Sequence, residues 1–595
     1  MNFLKIFLGS CLGTLLAVFL VFFIGIGILS IIASSAGASG KKTLDKASFL
    51  EVRADHSYPE KTNNVRSTNI FSMNEQHVGL HDLVKSIEHA ATDPKIKGIL
   101  YRSGYSYLGS SSALLIRQAL VEFKASGKPI YAYGEYFTEG SYSLASVADR
   151  ILLNPNGVVE LKGFGAMIPF FKEFLDKTGI SFEVYYAGQF KSATEPVRLN
   201  KMSDQNRSQT REYLEDLYRL HLEGISESRG IAVSDLRNIS NEYLSRSAKD
   251  AIRFKLADTL AYQDDVYRMI QRDLDLSESA RPSIVSVNRY FESFDHKPDH
   301  TPPATAGRIA IVFAEGEILD GEGNNGQVGS AKYLRILRKI RQDDKIKAVV
   351  LRVNSPGGSS MASDNILHEI NRIREAGKPV VVSMGDYAAS GGYYIACSAD
   401  SIFAEPNTIT GSIGVFFIIP NVHKLMGDKL GINMDTVRTG KFTTAFTPFM
   451  PWSSEESLIA QQQTDMVYDR FLTVVSEGRK KSKDDIEAVA QGRVWSGEKA
   501  LEHGLVDRLG GMEDAMACAA RMAKLDEYRI LEYPVMKDPF QQILEEWTNK
   551  EPELTESIIK NKLISWFEPY ARFASWSKQQ AGKPMMRMPF ELSIR

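Results

Sequence analysis

Cysteine is scarce in this chain of 595 residues, and the three cysteines lie far apart in the sequence. Cys11 sits in an apolar N-terminal run, while Cys397 and Cys518 are separated by a long stretch of chain. No pair has the spacing of a zinc ligand set, and a disulfide scaffold is not indicated. The sequence therefore gives no reason to expect a metal site. The low number of cysteines does not determine the cellular compartment of the protein.

Excess charge of either sign is also absent, since the formal net charge is −2. Basic stretches interleaved with aromatic residues do not occur, so nucleic acid is not an expected partner. Histidine is uncommon as well, and none of His368, His423 and His503 has a spacing that implicates it in catalysis. The composition, 43% hydrophobic and 24% charged, is that of a globular protein. The length predicts two or more domains.

Long apolar runs are missing everywhere except at the N-terminus. Residues 6–34 read IFLGSCLGTLLAVFLVFFIGIGILSIIAS without one charge. A membrane-spanning helix needs about 20 apolar residues, and a secretory signal has a shorter core of about 7–15. The run therefore predicts an uncleaved transmembrane anchor, although SSAGASG leaves cleavage open. Lysines flank the run on both sides, so the positive-inside rule does not settle its orientation.

The rest of the chain is an internal duplication with an offset of about 250 residues. DPKIKGILYRSG at Asp93–Gly104 matches DDKIKAVVLRVN at Asp343–Asn354, and AGQFKSATEP at Ala187–Pro196 matches TGKFTTAFTP at Thr439–Pro448. Further matches keep the same order and offset, which chance does not produce. The sequence therefore predicts two copies of one domain.

Each copy alternates short apolar runs with helical stretches. KAVVLRVN and KPVVVSM are continuous apolar runs, typical of parallel strands buried on both faces. The intervening ASDNILHEINRIREAG has helical periodicity and ends in a glycine suited to a C-cap. This βαβ pattern predicts the α/β class. The predicted organisation is an anchor, a first repeat, a Pro-rich polar linker, a second repeat and a tail, at residues 1–40, 47–294, 295–306, 307–534 and 535–595.

The two copies differ where chemistry would be expected. GDYAASGGYYIA in the second copy carries Ser390, and the first copy has Glu139 at that place. Conversely, Lys191 of the first copy aligns with Thr443, and Lys441 lies two residues out of register. A serine needs a base to accept its proton, and a lysine can serve if burial lowers its pKa. Taken singly, the serine could be a helix cap and the lysine a surface residue.

A glycine-rich loop is also confined to the second copy. NSPGGSS follows a buried strand there, and the first copy has SGYSYLGSSS instead. Glycines let backbone approach a ligand closely, and main-chain N–H groups stabilise an oxyanion. Gly391 together with Gly357 or Gly358 is therefore the predicted set of oxyanion donors. A tight turn is the plainer explanation of the same residues.

LRVNSPGGSS, MGDYAASGGYYIA, TGSIGVF and WSGEKALEHGLVDRLGG, with AGQFKSATEP in the first copy, resemble the signal peptide peptidase A (protease IV) family in its long, duplicated form. The resemblance covers about residues 47–531 and the N-terminal span. It implies a ClpP/crotonase-like fold in each half and a Ser/Lys peptidase without metal or cofactor. Ser390 would be the nucleophile and Lys191 the general base. Ser412, in TGSIG, would hold that lysine by a hydrogen bond.

The resemblance also implies partners and a location. The family clears cleaved signal peptides from the bacterial inner membrane, as a membrane-anchored oligomer whose bulk lies outside the cytoplasm. By resemblance the oligomer would be a tetramer. A non-catalytic membrane scaffold and an acyl-CoA enzyme are the alternatives on such a fold. The apolar run VFFII could line a substrate groove or form a buried strand, and the ending MMRMPFELSIR could face a partner or a membrane, pack, or be disordered.

Overall fold

The computed structural model describes residues 13–20, 23, 44–65, 77–106, 108–277, 279–294, 302–536 and 585–588. Residues 13–20 and 23 of the predicted anchor are helical, and the remainder of that segment lies outside the described residues. Within the described ranges, no helix is both long and apolar enough to cross a membrane. Most of the predicted linker and most of the predicted tail also lie outside these ranges.

The first copy is built on a parallel six-stranded sheet, in the order β6-β4-β3-β2-β1-β7. Its strands, together with β5, which joins another sheet, are β1 Ser48–Arg53, β2 Ile96–Arg102, β3 Ile130–Phe137, β4 Arg150–Val159, β5 Ser181–Ala187, β6 Thr259–Leu260 and β7 Ile284–Ser286. Its helices are α1 Leu80–Thr92, α2 Ser110–Lys124, α3 Glu139–Ala145, α4 Lys172–Thr178, α5 Glu195–Arg198, α6 Asp204–Arg229, α7 Val233–Asn241, α8 Ala248–Arg253, α9 Gln263–Asp273 and α10 Val287–Phe291.

The second copy repeats this arrangement around the path β17-β15-β13-β11-β8-β19, with β14 beside β13 and β18 beside β14. Its strands, and those of a third sheet, are β8 Gly307–Glu315, β9 Glu317–Leu319, β10 Gln327–Gly329, β11 Ile346–Ser355, β12 Gly357–Ser359, β13 Val380–Ala389, β14 Ser401–Ala404, β15 Ile409–Gly411, β16 Val415–Asn421, β17 Val494–Ser496, β18 Arg508–Leu509, β19 Tyr528–Tyr533 and β20 Met585–Arg587. Its helices are α11 Ser330–Gln342, α12 Ser360–Glu375, α13 Gly391–Ala396, a π-helix at Leu425–Lys429, α14 Ser454–Arg479, α15 Lys483–Val489, α16 Gly497–Glu502 and α17 Met512–Met522.

Individual side-chain contacts recur in both copies. The Tyr142 hydroxyl donates to the carbonyl of Leu256 at 2.8 Å, and the Tyr393 hydroxyl donates to the carbonyl of Leu505 at 2.8 Å. Strand β2 lies between β1 and β3 in parallel register, as β11 lies between β8 and β13. The predicted α/β class is therefore confirmed, and the strands predicted to be buried on both faces are β11 and β13.

Local sequence explains the two longest helices, which occupy matching places in the copies. Ser203 caps α6 by accepting the N–H of Asn206, and Ser453 forms a capping box with Glu456 at the start of α14. Each helix ends at a residue in the left-handed conformation, which breaks the helical hydrogen-bond pattern. The polar residues Ser203 and Ser453 at the starts of these helices are thus helix caps.

The third sheet joins the two copies, in the order β10-β9-β12-β20-β16-β5. Strand β5 of the first copy runs antiparallel to β16 of the second, pairing Ala187 with Val415 and Ser181 with Asn421. The C-terminal strand β20 pairs antiparallel with β12 on one side and with β16 on the other. Tandem repeats alone do not predict this sheet, because its strands come from three separate parts of the chain.

Candidate active site

Ser390 lies at the junction between β13 and α13, in a backbone conformation that is unusual for a serine. Its φ is 56° and its ψ is −115°, a region that side chains other than glycine seldom adopt. Its N–H donates to the carbonyl of Gly411 at 2.8 Å, and its carbonyl accepts the N–H of Tyr394 at 2.8 Å. Strained geometry of this kind persists only where the surroundings impose it, and it concentrates at functional sites.

The glycines after Ser390 are required by close packing. A methyl group on Gly391 would lie 2.7 Å from the Ser363 hydroxyl oxygen, and one on Gly392 would lie 2.6 Å from the Ser355 carbonyl oxygen. Both distances are shorter than side-chain carbons tolerate. The small residues of this stretch therefore let the turn sit directly against the loop that precedes β12.

Lys191 reaches Ser390 because of the pairing between the copies. Antiparallel register places the end of β5 beside the start of β16, so the loop after β5 lies next to the turn that holds Ser412. The Lys191 Nζ atom is 2.8 Å from the Oγ of Ser390 and 3.1 Å from the Oγ of Ser412. It also donates to the Ser412 carbonyl at 3.0 Å. Residues 199 positions apart in sequence thus meet within one chain.

Lys191 is 1% exposed, and Ser390 and Ser412 have no exposed surface. Burial lowers the pKa of the Lys191 ammonium well below its ordinary value, because the charged form loses its hydration. No ion pair of this lysine occurs among the described residues, so its contacts are with hydroxyl and carbonyl oxygens. A neutral amine beside a serine hydroxyl is the arrangement needed to accept a proton from that hydroxyl.

A loop of the second copy at residues 491–493 supports both Lys191 and Ser412. The Gln491 carbonyl accepts the N–H of Phe190 at 2.8 Å, and the Arg493 carbonyl accepts the N–H of Ser412 at 2.6 Å. Between them, Gly492 has φ 76°, and a methyl group there would lie 2.7 Å from the Cβ of Lys191. No motif in the sequence identifies this loop, and the glycine in AQGRVW is the one visible signal.

Gln209 on α6 is a second positioning residue that the sequence analysis missed. Its Nε2 donates to the Phe190 carbonyl at 2.9 Å and to the Ser192 hydroxyl at 3.1 Å, on either side of Lys191. Its Oε1 accepts the N–H of Val494 at 3.3 Å. A glutamine in a helix gives no sequence signal for this role, since its partners, two main-chain groups and the Ser192 hydroxyl, come from both copies.

The three glycines predicted as oxyanion donors lie together near Ser390. Gly357 has φ 100°, and its N–H donates to the Ser355 hydroxyl at 3.2 Å. Gly358 pairs with Met586 of β20, and a methyl group on Gly391 would lie 3.1 Å from both the Gly358 nitrogen and the Met586 carbonyl oxygen. The first N–H groups of a helix have no partner within it, so the Gly391 N–H is available.

Several other residues lie away from this site. Lys441, the lysine out of register, is largely exposed and forms an ion pair with Glu455. His368 and His423 are exposed, and the ring of His503 packs on Trp495 with centroids 4.2 Å apart. VFFII, by contrast, forms the buried strand β16, whose start lies beside the end of β5 and so next to the loop that carries Lys191. Among the described residues there is no cluster of three or more His, Cys, Asp or Glu that could hold a metal ion.

In the first copy, Glu139 fills the place that Ser390 has in the second. Its carboxylate accepts the N–H groups of Lys162 at 2.8 Å and Gly163 at 2.7 Å. These residues match the TGSIG segment of the second copy. Burial raises the pKa of Glu139, and the two N–H groups partly offset that effect. The first copy thus keeps the strand and helix at this place. The Ser390 hydroxyl of the second copy is replaced there by the Glu139 carboxyl group, which is bound to the loop at Lys162 and Gly163.

A buried lysine against a strained serine is an arrangement that suits a serine peptidase, and the comparisons with known proteins agree with that class. Residues 122–277 and 372–526 match the model of peptidase family S49. The chain is 36% identical to Protease 4 of Salmonella typhi over 82% of this chain and 80% of that protein. It is 34% identical to Protease 4 of Haemophilus influenzae over 84% of each chain.

The chain belongs to peptidase family S49 and is a serine peptidase. Two matches to one family model agree with the predicted duplication, and the predicted long form is supported by relatives that match over most of the chain. A solved ClpP1 mutant of Listeria monocytogenes is 18% identical, with a TM-score of 0.24 over 35% of this chain and 94% of that one. That score is too low for an argument about the fold.

Proposed function

We propose that this peptidase uses a Ser/Lys dyad, with Ser390 as nucleophile and Lys191 as general base. One observation carries the proposal: the 2.8 Å approach of Lys191 Nζ to Ser390 Oγ in a fully buried setting. A lysine that is neutral near neutral pH can take the hydroxyl proton, which a charged lysine cannot do. Ser412 holds the amine through its hydroxyl and its carbonyl, so the lone pair is directed at Ser390.

The reaction proceeds in two steps that share these groups. Lys191 accepts the proton of Ser390 as Oγ attacks the peptide carbonyl carbon. The Gly391 N–H and a second glycine N–H stabilise the oxyanion, and each such donor typically contributes about 10²–10³ in rate. Lys191 then protonates the leaving amine, and water hydrolyses the ester by the same route in reverse. Because the Gly357 N–H already has a partner in Ser355, the contacts favour Gly358 as the second donor.

We further propose that the enzyme is anchored in the bacterial inner membrane by its N-terminal run, with its bulk on the extracytoplasmic side. The uncharged run of residues 6–34 supports the anchor, and the family resemblance supports the orientation. The substrates are cleaved signal peptides, and the working form is a homo-oligomer, a tetramer by resemblance. The ClpP/crotonase-like description of each half rests on the same resemblance.

The test combines covalent labelling with matched variants. A serine-reactive peptide inhibitor should label the purified protein at Ser390, as mapped by mass spectrometry. Ser390→Ala and Lys191→Met should each lower kcat/KM for a short peptide by at least about 10³, while melting temperatures show that both variants fold. Lys441→Met is the matched control and should keep full activity, because that lysine is largely exposed and forms an ion pair with Glu455.

Three results would contradict the assignment. Full activity in Ser390→Ala would exclude the nucleophile. Inactivation by Lys441→Met together with activity in Lys191→Met would place the base in the second copy. Absence of labelling and of activity in the wild-type chain would favour the scaffold alternative.

A further inference from the structure

Asn354 lies between the two parts of the chain that the proposed reaction needs, the Ser390 turn and the loop of the glycine donors. Strands β11 and β13 keep a regular parallel register up to Met384, and their pairing resumes at Ala388. Between these points β11 contributes Asn354 alone, whereas β13 contributes residues 385–387. Extra residues of this kind form a bulge, which bends the strand and is frequent beside active sites. The shape of the bulge therefore decides how β13 delivers Ser390.

The side chain of Asn354 closes this bulge. Its Oδ1 accepts the Tyr387 N–H at 3.1 Å, and its Nδ2 donates to the Glu60 carboxylate of the first copy at 2.8 Å. A main-chain N–H only donates and a carboxylate only accepts, so a single orientation of the amide satisfies both partners. The Asn354 carbonyl accepts the Gly316 N–H, just after β8, at 2.9 Å. Asn354 is therefore bound on both sides of β11 and also to the first copy.

Glu60 is a fixed partner for that amide. Its side chain is 1% exposed, its carboxylate pairs with Arg352 at 2.9 Å, and the Nε2 of His81 lies 3.0 Å from it. Arg352 in turn donates to the Ser383 hydroxyl and to the Met384 carbonyl, each at 2.8 Å. A buried ion pair cannot be separated without leaving an uncompensated charge, so Glu60 stays in place. Through Arg352 it also holds β11 against β13 immediately before the bulge.

The first copy contacts the bulge at a second place. The Asp386 carboxylate accepts the N–H of Ser112, in the first turn of α2, at 2.9 Å and its hydroxyl at 2.6 Å. Beside it, a methyl group on Gly385 would lie 2.6 Å from a carboxylate oxygen of Glu60. The bulge thus lies directly against first-copy groups, and the segment that leads to Ser390 depends on both copies.

The aligned place in the first copy cannot form the same bridge. Gly104 aligns with Asn354, and a methyl group on it would lie 2.7 Å from the Cβ of Asp55, so the fold leaves no room for a side chain there. A glycine has no amide side chain to join two strands. The shared framework therefore does not need the bridge, which belongs to the copy that carries Ser390.

We propose that Asn354 is a positioning residue for the peptidase reaction, and that its bond to Glu60 of the first copy holds the glycine loop in reach of the oxyanion at Ser390. This inference rests on the proposed function, since it assigns the glycine N–H groups after Asn354 to the oxyanion. Only residues 355–357 separate Asn354 from Gly358, so a displaced asparagine carries the donor with it. Such donors act on charge that develops in the transition state, so their displacement lowers kcat and leaves KM nearly unchanged.

Steady-state kinetics of Asn354 variants on a short peptide test this role. Asn354→Ala removes the bridge and should lower kcat about 10²-fold, since a displacement of about 1 Å can have that effect. Asn354→Asp keeps the shape but sets a second carboxylate against Glu60, and its kcat should fall at least as far. In the double variant Glu60→Gln, Asn354→Asp, the amide and the carboxylate exchange places. The hydrogen bond and the net charge are then restored, and kcat should recover at least about tenfold relative to Asn354→Asp.

Asn421→Ala is the matched control. Asn421 is also a buried asparagine of the second copy that donates to a glutamate of the first, Glu183, at 3.3 Å. It lies at the end of β16 that is farther from Lys191, so kcat should stay at the wild-type value.

A transition-state analogue separates positioning from a general loss of structure. A peptide aldehyde adds reversibly to a serine hydroxyl and places its oxygen where the oxyanion forms. In Asn354→Ala its inhibition constant should weaken in proportion to kcat, whereas that of the corresponding peptide alcohol should not change. A role in folding alone would not produce this difference between the two inhibitors.

The outcomes separate the two proposals. Wild-type kcat in Asn354→Ala, or an equal loss in Asn421→Ala, would overturn the positioning role alone if activity still requires Ser390. A change confined to KM, with aldehyde inhibition unaltered, would also overturn it and assign Asn354 to substrate binding. Activity that survives Ser390→Ala would overturn the proposed function instead. Melting temperatures check the fold of each variant, and if Asn354→Ala does not fold, Asn354→Asp and the double variant decide the question.

Discussion

At the scale of single residues, the site depends on burial more than on charge. Lys191 has no carboxylate among its described partners, and its contacts are the hydroxyl groups of Ser390 and Ser412 and one carbonyl. A histidine base would need a carboxylate to orient it, whereas a lysine needs an environment that disfavours its charge. The surrounding core provides that environment.

This property predicts the pH dependence of the reaction. Since only the neutral amine accepts a proton, kcat/KM should rise with pH through the lowered pKa of Lys191 and then level off below the ordinary lysine value of 10.5. Lys191→Arg should be inactive at every pH, because a guanidinium has a pKa above about 12 and stays charged. Lys441→Arg serves as the control. A wild-type profile that is flat between about pH 5 and 10 would count against a lysine base.

At the scale of elements, two loops from different copies meet and define where the lysine lies. The loop after β5 carries Lys191, and the loop before β17 carries Gly492, with no room between them for a side chain. Main-chain hydrogen bonds from Phe190 and Ser412 reach the same loop. Displacement of this loop would therefore move the base and its partner together.

Gly492→Ala tests this contact. The added methyl group would lie 2.7 Å from Lys191 Cβ, so the loop must shift, and a displacement of about 1 Å can lower the rate about 10²-fold. Gly377→Ala is the matched control, because its φ of 78° is nearly the same and no atom lies within 4 Å of the added carbon. Both variants carry nearly the same backbone strain, so any further fall in the melting temperature of Gly492→Ala measures the cost of the close contact. Equal kcat/KM in the two variants would show that the contact does not position the base.

At the scale of the whole molecule, buried charges join the two copies. Glu60 of the first copy pairs with Arg352 of the second at 2.9 Å, and both side chains are almost fully buried. Burial alone would raise the pKa of Glu60, but Arg352 and His81 outweigh it and hold the pKa at about 2. Glu315 accepts the Glu60 N–H at 2.9 Å, and burial followed by the Glu60 charge raises its pKa to about 8.

Glu315 makes stability depend on pH in a defined direction. An acid with a higher pKa in the folded state contributes stability that is complete below its unfolded value of 4.5 and is lost as pH rises through about 8. Glu315→Gln cannot ionise, so its melting temperature should fall less than that of the wild type between pH 6 and 9. Between pH 6 and 9, the free energy of unfolding of Glu315→Gln should rise relative to that of the wild type by on the order of 1–3 kcal/mol. Glu122→Gln, on the exposed face of α2, should show no such gain.

A gain of equal size in both variants would show that net charge, rather than the buried carboxyl group, governs the effect. Calorimetry at several pH values makes the comparison, with the wild-type chain measured in the same buffers.

Much of this molecule was predictable from sequence because the two copies of the duplicated domain can be compared with each other. Motifs present in both copies predicted the α/β framework, and the exchange of Ser390 for Glu139 predicted where the copies differ. The unmatched Lys191 predicted its partnership with Ser390, whose catalytic roles stay predictions. Gln209 and Gly492 were missed, because their contacts cross between the two copies and no sequence pattern identifies such contacts.

The sequence by itself determined that the chain has two related halves and that chemistry would require residues from both. Only the tertiary structure decided how those halves meet. Antiparallel pairing of β5 with β16 brings Lys191 to Ser390, and strand register between distant segments depends on packing of the whole sheet rather than on local pattern. The same holds for the C-terminal strand β20, because its residues MMR form a strand only where β12 and β16 provide two edges for them to pair with.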